Sequence, residues 1–297
     1  MQFLSPNNFK DYELLDCGDF MKLERFGNYI TIRPEPQAIW SPKWDMKEWE
    51  RKAHVKFMPQ SSSSGIWKKL KDMPDQWQIK YVLNTDDKNL ATIKFRLGLT
   101  SFKHVGIFPE QSRNWDYIYN SVKAFKTDKP KVLNLFAYTG GASLAAKVAG
   151  ADITHLDSIK QVVSWANENM ELSGLQDIRW VVEDAMKFVK RELKRGKKYN
   201  GIILDPPAYG HGPNGESWKL EDMMNDMMRS VAELLEEQHF IILNTYSLGF
   251  SSMIIENLFA EHICKRDIKS AEIGELFLPS STGLKLPLGV FGRYRNI

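Results

Sequence analysis

Cysteine is almost missing from this chain of 297 residues. Cys17 and Cys264 are the only two, too few for a disulfide framework or a cysteine-built zinc site. Each is expected as a small buried apolar group, and no metal centre is expected. Long apolar runs are missing too. The longest, such as Phe240–Leu243, fall far short of the ~20 residues that cross a bilayer. The opening Met1-Gln2-Phe3-Leu4-Ser5-Pro6 has neither the basic nor the apolar region of a signal peptide. A reducing, cytoplasmic setting without a membrane partner is the expectation. There is no internal repeat, and the net charge is only +3, too small on its own to argue for a polyanionic partner. Nothing in the sequence sets an oligomeric state.

What is present is unevenly placed. Residues 1–130 carry 21 Lys and Arg against 16 Asp and Glu, whereas residues 131–297 carry 19 against 21. The excess gathers between Lys43 and Lys71, with eight basic and three acidic residues. Five of the nine tryptophans, Trp40, Trp44, Trp49, Trp67 and Trp77, fall in or beside that stretch. Aromatics interleaved with Lys and Arg suit unpaired RNA, where bases stack and phosphates need counter-charges. Equally, a small domain needs large apolar residues for its own core.

The chain divides near residue 103. Before it, short strands and turns dominate: Asn28–Arg33 alternates weakly up to Pro34 and Pro36, and a helix is expected over Lys47–His54. Pro59-Gln60-Ser61-Ser62-Ser63-Ser64-Gly65 reads as a loop, and Trp77–Leu83 with Ala91–Leu97 as a hairpin. From Lys131, apolar runs alternate with amphipathic stretches, the pattern of a parallel sheet with helices on both faces. Strands are expected at Lys131–Phe136, Asp152–Leu156, Ile178–Val182, Tyr199–Leu204 and Phe240–Leu243. Helices fall between and after them, at Gly141–Gly150, Ile159–Leu172, up to Arg195, Leu220–Leu235 and Ser252–Phe259. Two strand-like pieces around Ser280–Gly283 and a last strand at Gly289–Tyr294 close the chain. The expected fold is α/β: a Rossmann-like domain over 104–297, with a seven-stranded, mostly parallel sheet, and a small β-rich α+β domain over 1–103, a candidate for substrate binding.

Open parallel sheets bind ligands beyond the carboxyl ends of their strands, where strand order reverses. Three such ends carry chemistry here. The first is Asn134-Leu135-Phe136-Ala137-Tyr138-Thr139-Gly140-Gly141-Ala142, a strand running into paired glycines and a small-residue helix. Such a turn lets backbone approach a ligand and offers helix amides to a carboxylate, though many such turns are merely tight. The second is Asp157-Ser158, 17 residues beyond Gly140, able to accept both ribose hydroxyls of an adenosine or to cap the next helix. The third is Glu183-Asp184-Ala185, suited to an adenine amino group or, again, to a helix cap. The glycines do not follow Gly-x-Gly-x-x-Gly, which disfavours a nicotinamide dinucleotide, and no Walker loop is present. An adenosine ligand with a zwitterionic tail fits best.

The most specific signal is Ile202-Ile203-Leu204-Asp205-Pro206-Pro207-Ala208-Tyr209-Gly210. Two prolines fix the strand exit, Asp205 can orient a nitrogen nucleophile, and Tyr209 can stack on a planar base. A rigid exit alone would account for the prolines.

Phe136–Ala142, Asp157-Ser158 and Asp205–Tyr209 together resemble the class I S-adenosylmethionine (SAM)-dependent methyltransferases. They are most similar to those that modify bacterial large-subunit ribosomal RNA at cytosine C5 or guanine N7. Gly106-Ile107-Phe108-Pro109-Glu110-Gln111 resembles the segment that precedes the core in this family and touches the cofactor, and Pro36–Trp40 resembles its small β-rich domain. The resemblance implies SAM as cofactor, held by Phe108, Gln111, Asn134, Phe136, Ala137, Tyr138, Gly140, Gly141, Asp157, Ser158, Asp184 and Ala185. It implies catalysis by Asp205, Pro206, Pro207 and Tyr209, with ribosomal RNA as partner. Two departures matter. The family's RNA-binding PUA domain is expected to have no counterpart here, and the nucleophilic cysteine of the cytosine-C5 members is replaced by Asn244-Thr245-Tyr246-Ser247. Cytosine C5 needs covalent addition of a thiolate, so a nitrogen of a base is the expected target.

Other readings stay open at this level: the same core acting on a small molecule or a protein, a nicotinamide-dependent oxidoreductase, or a SAM-binding protein without catalysis. His211–Trp218 reads either as a lid over the acceptor or as a long connection. His211 reads as a base or as an isolated histidine.

Overall fold

Period-two alternation decides the first third of the chain. The computed structural model describes residues 1–61, 64–87, 89–246, 249–264 and 268–297. Ser62 and Ser63 of the expected loop, and Ser247 after the fifth core strand, lie outside them. After a short strand β1 (Gln2–Leu4), the strands β2 (Tyr12–Gly18), β3 (Met21–Phe26) and β4 (Tyr29–Pro34) form an antiparallel meander. Helix α1 (Met46–Lys52) follows, its first turn capped by Asp45, which accepts the Glu48 amide at 2.7 Å. Strands β5 (Val55–Pro59) and β6 (Gly65–Lys69) complete a five-stranded sheet, β5 running parallel to β4. The hairpin β7 (Gln76–Val82) and β8 (Thr92–Gly98) alternates strictly between buried and exposed side chains along β7. Its outer edge is tied down, the Arg96 amide donating to Asn169 Oδ1 at 2.8 Å.

A 3-10 turn at Pro109–Gln111 and helix α2 (Ser112–Ala124) lead into the large sheet. Its elements in chain order are β9 (Lys131–Leu135), α3 (Gly141–Val148), β10 (Asp152–Asp157), α4 (Lys160–Leu172), β11 (Arg179–Val182), α5 (Ala185–Lys194) and β12 (Tyr199–Leu204). Then come the hairpin β13 (Tyr209–His211) and β14 (Ser217–Lys219), α6 (Leu220–Glu233), β15 (Leu235–Thr245), α7 (Ser252–His262), β16 (Glu272–Pro279) and β17 (Lys285–Asn296). The strand order is β1-β16-β17-β15-β12-β9-β10-β11. The seven expected strands are there, and β1 adds an eighth at the edge, parallel to β16. Strand order reverses at β9, which pairs with β10 on one side and β12 on the other. A crevice must open at their carboxyl ends. One apolar core lies on each face of the sheet, and the first is continuous with the N-terminal unit: Phe9, Tyr12 and Trp77 join Trp115 and Leu144 in it. Among the described residues no helix is long and apolar enough to cross a membrane.

Two readings that the sequence leaves open are narrowed. Four of the five tryptophans of the basic stretch serve the fold. The indole N–H of Trp40 donates to the Cys17 carbonyl, Trp49 to Asp16, Trp67 to the Thr100 carbonyl and Trp77 to the Phe26 carbonyl, at 2.8–3.2 Å. An indole whose donor is satisfied internally stays turned inward. Secondly, His211–Trp218 forms part of the β13–β14 hairpin rather than an irregular connection. Glu216 holds it, accepting the Asn214 amide at 2.9 Å and pairing with Lys187. His211 meets the Tyr209 hydroxyl at 3.1 Å.

Candidate functional site

The turn after β9 has an uncommon backbone. Phe136, Tyr138 and Gly140 have φ of 57°, 49° and 93°, so two bulky residues sit in a left-handed region that only glycine enters readily. Such conformations persist where surroundings over-determine them. Here the Tyr138 amide donates to Asp157 Oδ2 at 2.9 Å, the Thr139 hydroxyl to the Gly106 carbonyl at 2.7 Å, and Asn169 Nδ2 to the Thr139 carbonyl at 2.9 Å. Gly141 then opens α3 against Trp115: a Cβ on it would lie 2.6 Å from the indole Cζ2. Below the turn, Asn134 Nδ2 donates to Ser143 Oγ at 2.9 Å, and Ser143 Oγ meets His155 Nδ1 at 2.9 Å. His155 is fully buried, and burial lowers its pKa to about 3, so the ring is neutral.

This turn and the ends of β12 and β15 enclose one crevice, which holds about 540 Å³ with its open mouth. Phe108, Gln111, Asn134, Phe136, Ala137, Tyr138, Gly140, Gly141 and Asp205 all line it. Phe108 and Tyr138 pack ring on ring at 5.1 Å, and Phe136 packs on Trp218 at 4.8 Å.

Other expected residues sit around it rather than in it. Asp157 reaches the rim through the Tyr138 amide, and its other oxygen accepts the Ile159 amide at 3.0 Å. No side chain caps α4. Burial raises the Asp157 pKa, while the amides of Ile159, Tyr138 and Ser158 pull it down. Asp184 is the N-cap of α5, accepting the Lys187 amide at 2.8 Å, and Ala185 is buried in the core. Ser158 lies beyond the lining. Pro206 is buried and Pro207 exposed. The Trp218 indole donates to the Pro207 carbonyl at 2.8 Å, and Tyr209 is 60% exposed on β13.

The sequence reading missed Asn114 and Trp115 on α2, Thr139 beside the glycines, and Asn244 on β15, all in the lining. A helical period over 112–124 was the only available signal for the first two. Asn114 Nδ2 donates to Gln111 Oε1, and Asn244 Nδ2 to Asp205 Oδ1 at 2.9 Å. Among the described residues the carbonyl oxygens of Asn114 and Asn244 are buried with no hydrogen-bond partner. Buried acceptors are seldom left empty, so the crevice offers two sites to a donor such as an ammonium. Asp205 itself is half-buried, and burial raises its pKa to about 6 against the pull of Asn244.

On the far side of Asp205 the N-terminal sheet presents a packed set of charges. Arg33 pairs with Glu24 at 2.6 Å, Lys22 with Glu35 at 3.2 Å, and the Tyr246 hydroxyl donates to Glu35 Oε1 at 2.5 Å. Glu110, buried in the 3-10 turn, is pushed up to about 7 by burial, with Lys22 acting against it.

The model of the S-adenosylmethionine-dependent methyltransferase family matches residues 67–262, well over half the chain. A SAM-dependent methyltransferase from Agrobacterium tumefaciens is 34% identical, with a TM-score of 0.86 over 99% of this chain and 93% of that one. A second solved structure, SMU.776 complexed with SAH, is 18% identical and shares the fold, with a TM-score of 0.72 over 97% of this chain and 76% of its own. The ribosomal RNA large subunit methyltransferase K/L of Shewanella frigidimarina is 30% identical over 169 residues, 56% of this chain and 23% of its own. The chain thus spans about a quarter of the length of the curated relatives it matches first. A crevice at the switch point, a strained glycine turn and unpartnered acceptors meet here with a family match and a near full-length solved relative: the chain belongs to the S-adenosylmethionine-dependent methyltransferases, with SAM as its cofactor.

Proposed function

We propose that this enzyme methylates a nitrogen of a base in RNA, ribosomal RNA being the class to which the names of its relatives point. The observation that carries the reading is Asp205: a half-buried carboxylate at the end of β12, fixed by Asn244 and followed by the rigid Pro206-Pro207 exit, in the same crevice as Gly140 and Gly141. A thiol for cytosine-C5 chemistry is not at hand, because Tyr246 follows β15 and both cysteines are buried elsewhere.

In this reading residues 104–297 bind the cofactor and residues 1–103 face the acceptor, with β1 returning to the large sheet. Phe108, Gln111, Asn134, Phe136, Ala137, Tyr138, Gly140 and Gly141 form the wall around SAM, Gly141 leaving room under Trp115. Asn114 and Asn244 accept from its ammonium. Each Asp157 oxygen accepts a backbone amide, from Tyr138 and Ile159, and a carboxylate oxygen has a further lone pair for a ribose hydroxyl. Ser158, Asp184 and Ala185 flank the adenine side.

The cofactor supplies an electrophilic methyl on a sulfonium. Asp205, when ionised, accepts an N–H of the acceptor and turns the nitrogen lone pair toward the crevice. Pro206, Pro207 and Tyr209 hold the base in that orientation, and most of the rate then comes from positioning. The proton leaves through the carboxylate, so the rate constant rises with pH through about 6, where Asp205 ionises.

The test is transfer of label from radiolabelled SAM to RNA from cells lacking this protein, with Asp205→Asn as comparison. Loss of about 100-fold or more in kcat is expected, with the affinity for SAM changed by less than about threefold. Label confined to protein or metabolites would overturn the RNA reading.

A further inference from the structure

The tryptophans point inward, yet rings do stand in solvent around the acceptor side. Phe20 is 58% exposed, Phe102 55% and Tyr246 40%. Phe20 is the least expected. It caps the β2–β3 turn with φ of 61°, next to Asp19 at 48°, a conformation that disfavours bulky side chains. Glycine would form such a turn with less strain.

Its position is fixed by the backbone. The Phe20 amide donates to the Ala38 carbonyl at 2.8 Å, and the Phe20 carbonyl accepts from the Glu35 amide at 2.7 Å. Glu35 is the residue that Tyr246 grips, two residues beyond the Asn244 that holds Asp205. Phe20 is therefore joined to the crevice lining at Asn244 through Glu35 and Tyr246. On the same side, Arg33 Nη1 donates to the Lys103 carbonyl at 3.1 Å and fixes the Phe102-Lys103 pair.

Charge separates Lys103 from its neighbours. Arg33 is committed to Glu24 and Lys22 to Glu35. Among the described residues no hydrogen bond or ion pair engages the Lys103 ammonium, although it is half-buried and its pKa is lowered by burial. Removing a cation from water without a partner is unfavourable, and an anion arriving there would offset that cost.

We infer that Phe20, Phe102 and Lys103 form a landing for an unpaired RNA strand beside the target base, the rings stacking on flanking bases and the ammonium meeting a phosphate. This rests on the RNA reading above. Stacking on exposed rings is tolerant of sequence, so the landing selects for single-stranded character rather than for a motif.

The experiment is fluorescence anisotropy of the full chain with a labelled single-stranded oligoribonucleotide of about 12 nucleotides, and with the same sequence as a duplex. SAM affinity is measured by calorimetry on each variant as a check of fold. Phe20→Asn removes the ring but keeps a residue that tolerates the left-handed turn; Phe102→Ser and Lys103→Gln complete the set. Each ring variant is expected to weaken single-strand binding about tenfold. Lys103→Gln should lower the slope of log affinity against log salt by about one, with SAM binding unchanged. If the wild type binds and the variants bind equally well, the landing is wrong while the RNA reading stands. If the wild type binds no RNA, both fall. Dimerisation in light scattering that Phe20→Asn abolishes, without a change in RNA affinity, would assign the rings to a second copy and overturn the proposal.

Discussion

The crevice and the charged cluster of the N-terminal sheet are built on opposite principles. On the cofactor side the shape comes from backbone: a turn with three left-handed residues, a glycine that leaves room for Trp115, and amides and side-chain amides aimed at fixed points. In the N-terminal sheet it comes from charged side chains locked in buried pairs. A ligand of constant shape suits the first arrangement. The second ties its geometry to charge, so loss of one partner leaves the other exposed to a large desolvation penalty.

The sharpest way to break this contrast is at Gly141. Gly141→Val should abolish measurable SAM binding, at least about 100-fold by calorimetry, because a Cβ there already meets Trp115 at 2.6 Å. Chemical denaturation should show a smaller effect on the rest of the fold. If the valine variant still binds SAM, the cofactor wall is not set by backbone clearance. Next in size is Glu24→Ala in the charged cluster. It strands Arg33, 3% exposed, without its carboxylate. Loss of about 3 kcal/mol in urea unfolding is expected, and Glu24→Gln should recover part of it. A loss under about 1 kcal/mol would mean that water reaches Arg33.

The smallest effect is a pH dependence of the cofactor wall. The pKa of His155 falls from 6.5 to about 3 on folding. The unfolded chain then binds more protons than the folded one between those values, so stability declines as pH drops from about 6.5 toward 3. By pH 5 this amounts to about 2 kcal/mol, readable as the difference in unfolding between the wild type and His155→Gln. Identical pH profiles for the two would show that His155 does not carry the dependence.

The contrast also explains what could be read from the chain alone. Gly140-Gly141, Asp157 and Asp205-Pro206-Pro207 are local features, each a strand end whose chemistry is written within a few residues, and the crevice gathers the first and third with the second at its rim. The core strands and helices were legible for the same reason, since periodicity is local. Asn114 and Trp115 were not, because a helix face toward a ligand has the same period as one toward a core. Tyr246 and Glu35 meet across 211 residues, a contact no spacing announces. The tryptophans could not be assigned to core or surface from the chain alone, because composition says how many indoles there are, not which way they turn. Glu216 looked like a loop residue until Lys187, 29 positions away, gave it a partner.

One consequence concerns β1. Its backbone lies against Gly274 in β16, on the edge of the large sheet, while the segment after β8 runs back into the crevice wall at Phe108 and Gln111. The N-terminal unit is thereby fastened at both extremities, like a strap buckled on two sides of a case. A strap of that kind has no single end about which to swing as a cover hinged on one side would.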